Sequence, residues 1–220
     1  MLLGVSAVRD NIRNRGGKRV FYLGADHRLT SEAKDFLAAQ RIEILPAAMA
    51  KPPRYRLENG GYMEEKPEHM THLYGDVLVE KTHPRIIFRG AVDALEAELL
   101  LCGSQFPHLQ KDLGEILGMT RKLISCEVLG ETMEDDRLLG LSQQQLRERS
   151  HRPQDYFGQP HFMPDFSDRP AVLWLNRARC AARQMELSAV AALAERTDIL
   201  RACNRLSSAL YILMIKEKAK

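Results

Sequence analysis

From Pro84 to the C-terminus, apolar residues recur every three or four positions in four long runs. That recurrence constrains the fold more than any other feature of the chain, because only helices bury such a stripe. The first run, "PRIIFRGAVDALEAELLLCG", puts Phe88, Val92, Leu95 and Leu99 on one face, with proline in the first turn and Gly103 as a stop. The second, "PHLQKDLGEILGMTRKLISCEVLG", ends at Gly130. The third extends from Pro170 to Glu195, and the fourth, "DILRACNRLSSALYILMIKEKA", starts at Asp198, a good N-cap type. A shorter helix fits "SQQQLRERSH", while "RPQDYFGQPHFMPDFSDRP" is too rich in proline and aromatics and reads as a structured loop. Helices of this length and order predict an antiparallel bundle.

The N-terminal part reads differently. "VFYLG" is a short strand, Thr30 or Ser31 caps a helix with Ala33, Phe36 and Leu37 on one face, and Ile42 and Ile44 alternate as a strand. Pro46–Pro67, with four prolines and two glycines, reads as a linker, and "DVLV" further on has extended character. The expected fold class is therefore mainly α: an antiparallel four- or five-helix bundle with a small N-terminal strand–helix–strand unit. Residues 1–66 form the small α/β unit and linker, and residues 67–220 the helical domain.

Composition narrows the function classes. At 45% apolar and 28% charged, the chain can bury a real core, and its net charge of +3 does not demand a nucleic-acid partner. Long basic stripes with interleaved aromatics are missing, which argues against nucleic-acid binding. Cys102, Cys126, Cys180 and Cys203 stand far apart with no CxxC pair, so they read as buried thiols in a reducing compartment and not as a zinc site or disulfide framework. The N-terminus turns charged too early for a secretory leader, and no run approaches the ~18 apolar residues of a membrane span. A cytoplasmic protein is expected.

Three polar stripes interrupt the helices. Arg179, Arg183 and Glu186 are spaced i, i+4, i+7, so they share one helix face among alanines. Arg183 and Glu186 can form an ion pair, which leaves Arg179 needing a partner from elsewhere. Two planar five-donor guanidiniums facing a cleft suit a polyphosphate. Arg85 and Arg89 repeat the i, i+4 spacing. They either take an anion between them, or Arg89 pairs with Asp93 on a solvated face. Asn204, Ser207, Ser208 and Tyr211 form the polar side of the last helix, either as interhelix hydrogen-bonding groups or as a purine or ribose contact. His69 and His72 could hold a metal, but with no evident third ligand no metal site is expected.

"ARCAARQME" resembles the core signature of the ATP:corrinoid adenosyltransferases of the propanediol-utilisation type, with Arg179, Arg183 and Glu186 at the matching positions. "CNRLSSALYIL" is similar to the next motif of that family through Asn204, Arg205, Leu206 and Ser207, and "GAVDALEAEL" through Gly90 and Asp93. "ADHRLTSEAKDFL", "KPEHMTHL", "HPRIIFRGAVDALEAE" and "LGLSQQQLRERSHRPQDYF" resemble segments of the ethanolamine-utilisation adenosyltransferases. Gln184 and Leu187 depart from the first type, and its glycine- and threonine-rich phosphate loop is missing. No cysteine precedes Cys102, so the metal-binding cysteine cluster of the second type is expected to be absent.

The resemblance implies transfer of the 5′-deoxyadenosyl group of ATP to the cobalt of a reduced corrinoid, with release of triphosphate. It implies that Arg183 contacts the triphosphate, that Arg179 pairs with Asp93 across a subunit boundary, that Glu186 fixes Arg183 or a ribose hydroxyl, and that Asn204 binds the nucleotide. Arg85 and Arg89 are placed to supply phosphate contacts in lieu of the glycine loop. Phe162, Met163 and Phe157 are the candidates for an apolar wall under the corrin of cobalamin. Mg²⁺ is expected with ATP, and a trimer or dimer with the site between subunits. A microcompartment shell or an adenosylcobalamin-dependent lyase would be a further partner.

Overall fold

The computed structural model describes residues 1–50, 55–134 and 137–220. The chain divides into two compact units, Met1–His83 and Pro84–Lys220.

The first unit is built on a seven-stranded sheet, which overturns the expected mainly α class with only a small strand–helix–strand unit. Its elements are β1 (Leu2–Leu3), α1 (Val5–Arg9), β2 (Ile12–Arg15), β3 (Lys18–Leu23), β4 (Arg28–Leu29), α2 (Ser31–Ala39), β5 (Glu43–Pro46), β6 (Tyr55–Leu57), β7 (Tyr62–Met63), β8 (Met70–Tyr74) and β9 (Val77–Glu80). Seven strands form one mixed sheet in the order β5-β3-β2-β7-β6-β9-β8, and β1 pairs with β4 separately. The strand–helix–strand reading corresponds to β3, α2 and β5, with β3 and β5 parallel and Val20 opposite Glu43. Thr30 caps α2 by accepting from the Ala33 N–H at 3.1 Å. The β2–β3 hairpin turns through Gly16 and Gly17, both at positive φ (56° and 77°), which such a tight turn requires of its two central residues.

The sheet escapes a local reading because its strands are short and its pairings distant: Arg13 of β2 lies opposite Tyr62 of β7. Strands β6 and β7 come from within the stretch read as a linker, of which residues 51–54 lie outside the described residues. Val8, Phe21, Leu29, Ala33, Leu37 and Ile42 form one small core of this unit, and Met63, Met70 and Leu78 another.

The second unit holds the long helices: α3 (Pro84–Gln105), α4 (Gln110–Leu129), α5 (Gln143–His151), α6 (Pro153–Phe157), α7 (Pro170–Ala192) and α8 (Thr197–Lys218). α3 packs on α4 and α7, and α8 packs on α7, α4 and α5. One core runs through them, with Phe88, Leu95 and Leu99 of α3, Ile116 and Leu123 of α4, Leu175 and Met185 of α7, and Leu206 and Leu210 of α8. Small residues on the buried face of α7, Ala178, Ala182 and Ala189, let neighbouring helices approach closely. Gly130 ends α4 in the left-handed conformation, and Ser142 starts α5 with a reciprocal capping box to Gln145.

Three local expectations change. α6 forms inside the segment read as a loop. Asp198 stands in the first turn of α8, not at its cap, and accepts from the Met133 N–H at 2.8 Å and from Arg196. Cys180 is exposed, whereas Cys102, Cys126 and Cys203 are buried.

Candidate functional site

The facing polar stripes of α7 and α8 open onto a cavity of about 260 Å³ lined by Arg179 and Arg183 from α7, by Asn204, Ser207, Ser208 and Tyr211 from α8, and by Ser150, His151 and His161. The i, i+4 arginines share one face of α7, and the cavity brings them together with Asn204 of α8. Among the described residues, the lining carries no carboxylate. A larger cavity, about 840 Å³, lies in the sheet unit with His69 and His83 on its rim, and none of the predicted nucleotide or corrinoid residues line it.

The two arginines differ. Arg179 is half-buried, donates through Nε and Nη2 to Asn176 Oδ1 at 3.3 and 3.2 Å, and lies 5.8 Å from the centroid of the Tyr211 ring. Arg183 is exposed and has no hydrogen-bond or ion-pair partner among the described residues. Glu186 does not pair with it; its Oε1 accepts from Asn204 Nδ2 at 2.6 Å. Asn204 Oδ1 accepts from Arg205 Nη2, so the amide enters the site with one donor and one acceptor engaged, and one N–H and one lone pair remain for a ligand. Arg205 is 8% exposed, and burial, aided by Arg147, pulls its pKa down. Below this row, burial with Glu186 nearby pushes the Cys203 thiol up to about 12, so it is inert as a nucleophile.

Other predicted residues lie apart. Asp93 is exposed on α3 and has no ion-pair or hydrogen-bond partner within the chain among the described residues. Arg85 and Arg89 do not line the cavity. Both bind the carboxylate of Glu127, whose side chain is fully buried: Arg85 Nε donates to Oε1 and Arg89 Nε to Oε2, the latter at 2.8 Å. Arg85 Nη2 also donates to the Glu127 carbonyl at 2.9 Å. Phe157 and Phe162 are half-buried against the helical core, whereas Met163 is 88% exposed. Phe162 stacks on Tyr211 with centroids 6.2 Å apart. His72 sits on β8 with its ring edge to Tyr55, and His69 lies in the preceding turn. No cluster of His, Cys, Asp and Glu that could hold a metal occurs among the described residues.

Sequence reading missed four residues here. Glu127 carried a signal, since it lies four residues after Leu123 in the apolar phase of α4, where a charge needs an explanation. Arg205 was matched to a motif but given no role. Phe166, fully exposed beside Met163, was passed over in "FMPDF". His161 meets Tyr211 only through tertiary folding, and nothing local announces it.

The family profile described as cobalamin adenosyltransferase matches residues 61–217. Two curated relatives, each named corrinoid adenosyltransferase EutT, come from Salmonella typhimurium and Escherichia coli. Each is 31% identical over 163 residues, covering 71% of this chain and 61% of the relative. The chain thus spans somewhat under two thirds of the length of the relatives it matches.

Proposed function

The chain belongs to the cobalamin adenosyltransferase family, and from that premise we propose that it transfers the 5′-deoxyadenosyl group of ATP to the cobalt of a reduced corrinoid. The carrying observation is that Arg179 and Arg183 line one cavity with Asn204, and that Arg183 has no internal partner among the described residues. A bond forms between Co(I) and the ribose 5′ carbon while the bond from that carbon to oxygen breaks, and its electron pair leaves on triphosphate. The corrinoid supplies the nucleophile, and the protein orients the substrates and neutralises the leaving group.

In this scheme Arg183 contacts the triphosphate and stabilises charge building on it. Arg179, held by Asn176 and Tyr211, offers its remaining guanidinium edge. Glu186 and Arg205 orient Asn204 so that its free N–H and lone pair meet the nucleoside. Mg²⁺ would accompany ATP, since the lining offers it no carboxylate among the described residues. Exposed Asp93, unpaired among the described residues, would meet Arg179 of a second copy, which makes the working form a trimer or dimer. Met163 and Phe166 present exposed apolar surface for the corrin, with Phe162 and Phe157 anchoring their loop. An adenosylcobalamin-dependent lyase would consume the product, and a microcompartment shell would be a further partner. No helix among the described residues is long and apolar enough to cross a membrane.

Anaerobic incubation with ATP, reductant and cobalamin tests the reading. The expected outcome is the adenosylcobalamin spectrum with stoichiometric triphosphate. A shift of the Co(II) spectrum without turnover would instead mark a corrinoid carrier.

A further inference from the structure

Tyr211 touches two different walls of the cavity. Its hydroxyl lies 2.9 Å from His161 Nδ1, and His161 Nε2 lies 3.1 Å from the backbone carbonyl of His151. A carbonyl only accepts, so Nε2 donates and carries the ring proton. In the neutral ring Nδ1 is then an acceptor, and the Tyr211 hydroxyl donates to it. The two rings are 9° from parallel with centroids 5.8 Å apart, and Phe162, the next residue, stacks on the same tyrosine. On the α7 side, the Arg179 guanidinium lies 5.8 Å from the Tyr211 centroid, within cation–π range.

The segment that His161 belongs to has few other fastenings. Among the described residues, Gln159 through Met163 make no backbone hydrogen bond. Its far end is anchored separately, where buried Asp168 pairs with Lys218 and accepts from the Asp165 N–H at 2.9 Å. The near end depends on Phe162, packed on Tyr211 with the Lys218 ammonium 5.4 Å from its ring centroid, and on the two bonds of His161, to Tyr211 and to the His151 carbonyl.

We propose that Tyr211 is the positioning residue of the candidate site: its hydroxyl fastens the Gln159–Met163 strap through His161, and its ring face seats the Arg179 guanidinium. One side chain thereby sets the strap and α7 in register across the cavity. Only the kinetic arm of the test rests on the adenosyl-transfer reading.

The full-length chain is compared with Tyr211→Phe, His161→Phe, their double variant and Tyr211→Leu. Chymotryptic cleavage after Phe162, followed by mass spectrometry, is expected to be about fivefold faster in Tyr211→Phe, the effect of one lost hydrogen bond, and faster still in His161→Phe, which also loses the bond to the His151 carbonyl. The double variant should be no faster than His161→Phe alone, because that variant already lacks the bond to Tyr211. In the adenosylation assay Tyr211→Phe should lower kcat with the KM for ATP within about twofold, and Tyr211→Leu, which also unseats Arg179, should raise that KM roughly fivefold. Unchanged cleavage in Tyr211→Phe, additive effects in the double variant, or an unaltered KM in Tyr211→Leu would overturn the proposal. If the wild-type chain shows no turnover, the adenosyl-transfer reading fails, and the cleavage series still decides for or against the strap.

Discussion

Two arginine pairs with the same i, i+4 spacing meet opposite fates in the helical unit. Arg85 and Arg89 of α3 converge on Glu127 of α4, a carboxylate with no solvent exposure. Among the described residues, Arg179 and Arg183 of α7 face a cavity whose lining holds no carboxylate, and the second of them is exposed without an internal partner. Repulsion between like charges one turn apart is similar in both pairs. A glutamate on the neighbouring helix offsets it in the first; in the second it remains for a ligand to offset. Spacing along one helix therefore creates a cationic doublet, and the facing helix decides whether that doublet is neutralised within the fold or left open.

Breaking each pair should separate the two roles. Arg183→Ala is expected to reduce adenosylcobalamin formation by about 10³-fold, as for loss of a charge-stabilising donor, with thermal unfolding unchanged. Glu127→Ala should do the reverse in kind. It leaves two guanidiniums beside a buried void and lowers unfolding stability in urea by about 3 kcal/mol. A smaller effect concerns another clamp, Arg196 on Asp198. The Arg196 guanidinium, helped by the Met133 N–H, holds the Asp198 carboxyl well below the usual carboxylate range. A depressed native pKa stabilises the fold above the unfolded value of about 3.9, and that contribution is lost as pH falls through the native value. Asp198→Asn should flatten the decline of the thermal midpoint below about pH 4. The smallest effect comes from giving the free arginine a neighbour. Leu187 is 64% exposed one turn beyond Arg183, and Leu187→Glu should raise the KM for ATP about twofold, the strength of an exposed i, i+4 pair.

The helices were legible because burial on one face imposes a period on the sequence. Phe88, Val92, Leu95 and Leu99 announced α3, Gly130 its successor's end, and the alanine-flanked stripe of α7 pointed to the arginines that line the cavity. The sheet was legible only at β3, α2 and β5 and, through "DVLV", at β9. Strands such as β7, Tyr62–Met63, are too short to show alternation, and β7 exists through its pairing with β2, far away in sequence. Site partners divided in the same way. Asn204 and Arg183 share a cavity because each lies on a long helix with a readable face. His161 reaches Tyr211 across a loop whose path only tertiary packing sets. Pairing of Arg85 with Glu127 required knowing how α4 is rotated against α3, although a glutamate in an apolar phase was the available clue.

Calorimetric titration of tripolyphosphate into the protein addresses the unpartnered guanidinium most directly, because it needs neither corrinoid nor turnover. Arg183→Ala should bind the polyanion at least about tenfold more weakly than wild type, with Arg183→Lys in between, since an ammonium keeps the charge but loses the planar fork. Equal affinity across all three proteins would contradict the assignment of Arg183 to the phosphate tail.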